Sequence, residues 1–263
     1  MSVLSLLTVG VWRLTFSDEF NGNELDTTKW HNPGWSVGEC RKPDWDHDHS
    51  QYYDNRAVQV RNGTLRLGAH RHVGPTLCSN ASLPYSFAAG RVDTHGLFSQ
   101  RFGKVEVNAR LPPARNRGVH PAIWMMPMLK SQHALCWPKG GEIDIMESNP
   151  GMYQNNINAH YHYGEECRVK QDPENQGRVN ENATLSFSES FHTFGVEWAA
   201  EYIAFTLDGD EYYRVTNATG VEIASRHEFY LIFNMAVNWR VVEGTDWEEA
   251  LLYIDWVRVY ERV

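Results

Sequence analysis

Polar and apolar residues alternate along this chain with a period of two, and the alternation recurs from one end to the other. Lys104-Val105-Glu106-Val107-Asn108-Ala109-Arg110-Leu111 is the clearest run. Leu65-Arg66-Leu67, Tyr202 to Leu207 and Leu252 to Tyr260 repeat it or run β-branched and aromatic. Side chains that alternate in this way place one face of a strand inward and the other outward. Asn21-Gly22, Asn62-Gly63, Asp208-Gly209 and Pro112-Pro113 separate the runs as turn signals. Val11 to Phe16 alternates too and predicts an opening strand, which leaves residues 1–10 as a leader remnant rather than a signal peptide with a basic start and a cleavage site. Only Val221 to Arg226 and Trp247 to Leu251 suggest helix, each of about two turns or less. Many short strands without a βαβ rhythm predict an all-β, two-sheet antiparallel sandwich. No linker or repeat divides it, so one domain over residues 1–263 is expected.

Composition narrows the partners. The 263 residues carry 24 Lys+Arg against 33 Asp+Glu, a formal charge of −9, with no basic block to hold a phosphate backbone. Nucleic acid is therefore disfavoured. No run of about 18 apolar residues predicts a membrane span. Cys40, Cys78, Cys136 and Cys167 contain no C-x-x-C pair, which argues against a zinc ribbon; one or two disulfides and free thiols both remain open. Asn62, Asn80, Asn182 and Asn217 head glycosylation sequons and give a weak hint of secretion. The ten tryptophans are the unusual feature.

Chemistry concentrates in Gly140-Gly141-Glu142-Ile143-Asp144-Ile145-Met146-Glu147-Ser148. Three carboxylates among Ile and Met on a strand imply a face that is wet, functional or both, because an isolated buried carboxylate is costly. Glu142 and Asp144 share a face by their spacing, whereas Glu147 falls on the opposite one. One extra residue, a β-bulge near Ile145 or Met146, returns Glu147 to the side of the other two. Paired carboxylates on one face are the requirement of glycoside hydrolysis. Three close acids cannot all ionise easily, so one should retain a proton for the leaving group.

The segment resembles the catalytic signature of glycoside hydrolase family 16, in the bulged Glu-x-Asp-x-x-Glu form of laminarinases, agarases and carrageenases. Phe16-Ser17-Asp18-Glu19-Phe20-Asn21-Gly22, Pro121-Ala122-Ile123-Trp124-Met125, Phe191 to Trp198 and Ile254 to Tyr260 extend the resemblance over nearly the whole chain. It implies a jelly-roll sandwich with an open polysaccharide cleft on its concave face. It further implies Glu142 as nucleophile, Glu147 as the proton-holding acid/base, and Asp144 as the carboxylate bonded to the nucleophile. No cofactor is implied for catalysis. A structural calcium is implied at Glu19, Gly63 and Asp255, whose oxygens suit that ion.

Sugar clefts use flat rings, on which pyranose faces stack. Trp137, Trp124 and Trp239 match cleft-lining segments, while Trp198 and Trp256 are read as core. His160 matches a histidine on the strand facing the catalytic one, placed to bond the substrate or the acid/base; Asn55 and Arg91 are further candidates for polar contacts. Two departures from the laminarinase pattern fall near the cleft: Gly118-Val119-His120-Pro121-Ala122 carries His120 where a tryptophan is usual, and Ala236-Val237-Asn238-Trp239 lacks a glycine pair. The Asp- and His-rich stretch Arg41 to His49 reads as a solvated cleft-edge loop more readily than a metal site.

These observations predict a secreted, monomeric, retaining endo-glycosidase acting on β-1,3-glucan. A galactan hydrolase of the agarase or carrageenase kind is the alternative; a non-catalytic β-glucan-binding lectin fits less well, since both glutamates are present.

Overall fold

The computed structural model describes residues 11–32, 51–71, 87–129, 136–149, 156–169, 176–182, 184–216, 218–237 and 246–263. Among these residues, sixteen strands form two sheets. The larger is built around β7 (Gly103–Arg110), β16 (Glu249–Arg262) and β4 (Thr64–Arg71), the segments whose alternation is cleanest. It continues on one side through β12 (His192–Trp198), β13 (Ile203–Leu207) and β14 (Asp210–Val215), and on the other through β5 (Phe87–Ala89) and β2 (Gln51–Tyr53). β1 (Trp12–Asp18) joins β16, and β3 (Val58–Arg61) joins β4. Pairing is antiparallel except between β2 and β5, which run parallel and depart from the purely antiparallel expectation.

The smaller sheet has the order β11-β10-β9-β8-β15-β6. Its members are β11 (Gln176–Asn180), β10 (Asn156–His162), β9 (Glu142–Glu147), β8 (Val119–Pro127), β15 (Phe229–Val237) and β6 (Arg91–Asp93). Val105, Val107, Leu65, Leu67, Leu252 and Ile254 of the large sheet and Ile123, Met125, Ile143, Ile157, Leu231 and Phe233 of the small one make a common apolar core. Burial of that surface, at roughly 25 cal/mol per Å², is what holds the two sheets face to face. The other face of the small sheet carries the polar side chains of β8, β9 and β10 together with rings and aliphatic groups such as Trp124 and Ile232.

The turn signals act as their chemistry requires. Asn62 and Gly63 (φ 54° and 71°) close the β3–β4 hairpin, and Asp208 and Gly209 (52° and 89°) close β13–β14, the left-handed pairs that suit strand twist. α1 (Ala218–Ser225) covers most of the expected short helix. Trp247 to Leu251 is not helical: β16 begins at Glu249, where pairing with β4 buries Ala250 and Leu252 in alternation.

Trp198 is core, at 1% exposure, but Trp256 is not. A register shift between Ile254 and Trp256 makes Asp255 the extra residue of a bulge in β16. Trp256 thereby turns outward beneath the Arg258 guanidinium, 4.2 Å from its ring centroid. Trp30 and Trp247 are buried, each with its indole N–H satisfied: Trp30 donates to Asp18 at 2.9 Å and Trp247 to the carbonyl of Arg117 at 3.0 Å. Among the described residues no helix is long and apolar enough to cross a membrane.

Candidate active site

β9 carries the bulge that the carboxylate spacing predicts. Against β8, Ile123 pairs with Met146 and Trp124 with Asp144, so Ile145 is surplus; against β10 the register shifts at the same place. Ile143, Ile145 and Met146 all point into the core, at 0%, 1% and 0% exposure. Glu142, Asp144 and Glu147 are thereby left on the polar face. Gly141 launches the strand at φ 81°, where a side chain would also meet the Tyr161 hydroxyl at 2.9 Å, so only glycine fits there.

Neighbouring strands complete the face through the same alternation. His160 and His162 on β10 lie across from Asp144 and Glu142. His120 and Trp124 come from β8, Asn234 from β15, and Arg91 and Asp93 from β6. Glu147 is gripped from both sides: His120 Nε2 is 2.9 Å from one carboxylate oxygen, and His160 Nδ1 is 2.8 Å from the other. The second nitrogen of His160 stands 2.6 Å from Gln176 Oε1. With both ring nitrogens facing oxygen acceptors, His160 suits the imidazolium form. Asp144, 2% exposed, faces His162 with Oδ2 and Nε2 3.2 Å apart.

Trp137 stands over Glu142 and donates its indole N–H to Oε2 at 2.9 Å. At 38% exposure its ring remains open to a ligand. The disulfide between Cys136 and Cys167 and the bond from Arg168 N–H to the Trp137 carbonyl, 2.8 Å, fix its backbone to the segment after β10. Trp124 donates to Asn234 Oδ1 at 2.6 Å. Arg91 lies between the rings of Tyr53 and Trp124, at 5.8 and 5.7 Å, with Asp93 at 3.5 Å.

The proton balance runs against the expectation that Glu147 holds the proton. Burial, then the charge of Asp144, and further Glu147, push the Glu142 carboxyl up to about 8, against the pull of His162 and the Trp137 N–H. Burial also opposes ionisation of Glu147, but the bonds and charges of His120 and His160 outweigh it and hold Glu147 well below the usual carboxylate range. His160 is raised in turn: burial lowers it, and the Glu147 bond and charge more than compensate. In the free protein these influences draw the proton toward Glu142 and His160 and away from Glu147. The motif alone counts three acids and cannot see two imidazoles arriving from other strands.

Asn55 is exposed in a 3-10 turn after β2, where its backbone carbonyl accepts from the Asn32 side-chain amide at 3.5 Å. Trp239, Cys40, Cys78, Asn80, Asn217 and the Arg41 to His49 stretch lie outside the described residues. His162, Asn234, Tyr53 and Gln176 were not singled out in the sequence; the two-residue step from His160 to His162 was the one available signal.

Within the oxygen set expected for calcium, Glu19 is engaged elsewhere. Glu19 engages the Arg258 guanidinium with both oxygens, at 2.9 and 2.8 Å, and that bond draws its carboxyl below the ordinary value. A fixed cation already balances it. Gly63 serves the β3–β4 turn and Asp255 the bulge of β16. On the polar face, Asp144, His160 and His162 are the residues able to hold a metal, with one ligand atom from each within 4.8 Å of the others.

Comparison with known proteins agrees with this geometry. Residues 12–262 match the family model described as the β-porphyranase A–D GH16 domain. The β-glucanase of Rhodothermus marinus is 32% identical over 277 residues, covering 96% of this chain and 86% of that protein. Glucan endo-1,3-β-glucosidase A1 of Niallia circulans is 30% identical over 268 residues, covering 94% of this chain; the match spans only 38% of that longer protein. The catalytic domain of an endo-1,3-β-glucanase (laminarinase) from Thermotoga petrophila RKU-1 superposes with a TM-score of 0.79 at 27% identity, over 97% of this chain and 99% of that one. The bulged carboxylate strand, the jelly-roll sandwich and a family match over almost the full length make one conclusion: the chain belongs to glycoside hydrolase family 16, on its laminarinase-like side.

Proposed function

We propose that this chain is a retaining endo-β-1,3-glucanase that works by double displacement, with Glu142 as nucleophile, Glu147 as acid/base and Asp144 as the carboxylate that tunes Glu142. The observation that carries the reading is the β9 bulge, which sets Glu142 and Glu147 on one polar face with Asp144 between them. In the first step Glu142 attacks the anomeric carbon while Glu147 protonates the departing oxygen; in the second, Glu147 deprotonates the water that releases the sugar. Substrate binding supplies the redistribution that the free site needs. A glycosidic oxygen placed against Glu147 favours its protonated form, and positive charge developing at the anomeric carbon favours ionised Glu142.

Trp137 offers a stacking surface beside the nucleophile, and Trp124, Arg91 and Asn234 extend the face toward β6. The glucan is favoured by the names of the relatives above. The matching family model carries the name of β-porphyranases, so agarose and carrageenans belong in the same assay. Export is supported by the Cys136–Cys167 bridge, which persists in oxidising compartments, and by the exposure of Asn62 and Asn182.

Purified protein should release oligosaccharides from laminarin, with the β-anomer appearing first by proton NMR. Glu142→Ala assayed on an aryl β-glucoside with azide should yield the α-glycosyl azide, and Glu147→Ala the β-glycosyl azide. Laminarin left intact while agarose is cut would overturn the substrate, and an exchange of the two azide products would overturn the roles.

A further inference from the structure

His160 and His162 form a His-x-His pair on one face of β10, with rings 5.1 Å apart and 17° from parallel. Asp144 approaches from the paired strand, its Oδ2 3.2 Å from His162 Nε2. Among the described residues this is the one group of three His, Cys, Asp or Glu side chains gathered closely enough to share an ion. We propose that Asp144, His160 and His162 bind a borderline divalent transition ion, Cu²⁺ or Zn²⁺, and that this ion and the glycan exclude each other. The second half rests on the glycosidase reading above, and the first does not.

The donor set decides the class of ion. Two imidazoles and one carboxylate suit copper and zinc, whereas calcium and magnesium call for oxygen donors. Tetrahedral zinc with bonds of roughly 2.1 Å needs ligand atoms about 3.4 Å apart, so atoms that all lie within 4.8 Å of one another must draw together by at most about 1.4 Å. Rotation of the imidazoles can supply this, because His160 and His162 keep 22% and 15% side-chain exposure while Asp144, at 3%, stays fixed as the anchor. Local charge favours the ion as well. Glu147 Oε2 is 2.8 Å from His160 Nδ1, and Glu142 lies across from His162 in the register. An ion seated here takes Asp144 away from the nucleophile and His160 away from Glu147, so occupancy and catalysis compete.

The full chain should bind one Cu²⁺ in equilibrium dialysis and show, by electron paramagnetic resonance, splitting from two imidazole nitrogens. His160→Asn and His162→Asn should each weaken binding at least tenfold and remove the two-nitrogen pattern. His47→Asn/His49→Asn, in the Asp- and His-rich stretch, should leave both intact. Zn²⁺ should inhibit wild-type hydrolysis, with full recovery on adding EDTA. Melting curves establish that each variant is folded, and Asp144→Asn supplies the same binding test should a histidine variant fail to fold. Copper binding that persists unchanged in both histidine variants, or that vanishes in His47→Asn/His49→Asn, overturns the site. Resonance from the site together with undiminished hydrolysis overturns the exclusion. Resonance from the site in a protein that cuts no glycan overturns the glycosidase reading and leaves the metal site standing.

Discussion

His120 Nε2 lies 2.9 Å from Oε1 of Glu147, so a position at which the laminarinase pattern usually carries an indole here touches the carboxylate proposed as acid/base. A hydrogen bond to a charged group contributes about 1.5–3 kcal/mol. His120→Asn should therefore lower kcat on laminarin roughly 10- to 100-fold with little change in KM. Steady-state kinetics check this: a raised KM at unchanged kcat would make His120 a sugar contact instead.

Glu142→Gln should abolish hydrolysis and stabilise the fold at alkaline pH. The folded carboxyl, raised to about 8, keeps its proton where the unfolded chain, near 4.3, has lost it. The stability contributed by protonated Glu142 is thus fully present below about pH 4 and is lost as pH rises toward 8. The variant carries no such dependence. Its melting temperature should match wild type at pH 4 and exceed it at pH 8, by about 2–4 °C for each kcal/mol of a gain near ~1–2 kcal/mol. Equal melting temperatures at pH 8 would show that burial of Glu142 carries no cost.

Replacing Cys136 and Cys167 together by serine removes a bridge with a sequence separation of 31 residues. Chain entropy assigns such a bridge roughly 3–4 kcal/mol. The variant should melt lower by several degrees and bind laminarin oligosaccharides more weakly, because Trp137 then loses one of its two backbone anchors. Calorimetry measures both, and weakened stability with unchanged affinity would separate the bridge from the cleft.

Trp137 combines a ring and a hydrogen-bond donor, and two variants separate them. Trp137→Phe keeps the ring but removes the N–H bonded to Glu142, so it should lower kcat about tenfold, the effect of ~1.4 kcal/mol, while KM stays near wild type. Trp137→Ala should also raise KM, since stacking surface is lost. Identical kinetics for the two variants would mean that the ring contributes nothing to binding.

The large sheet was legible in the sequence because β4, β7 and β16 each bury alternate side chains. The β9 bulge was legible for a chemical reason: Glu142, Asp144 and Glu147 share a face only if one residue is surplus. What stayed hidden depends on register between strands distant in sequence. His120 meets Glu147 across β8 and β9, 27 residues apart, and His162 meets Asp144 across β9 and β10. For that reason the motif alone does not show the pull of His120 and His160 that lowers Glu147. Trp256 was misplaced by a similar event, the bulge at Asp255, which no alternating pattern announces.

The surplus residue of β9 points inward, and this makes changes of length there unlike changes of identity. Ile145 and Met146 both fill the interior, so deleting either would leave the three carboxylates on one side of the sheet, evenly spaced, yet would empty the volume of a large aliphatic side chain. Shortening this strand therefore keeps its stability only where the opposing sheet refills that space. The spacing of the carboxylates and the packing of the interior are bound together in one residue.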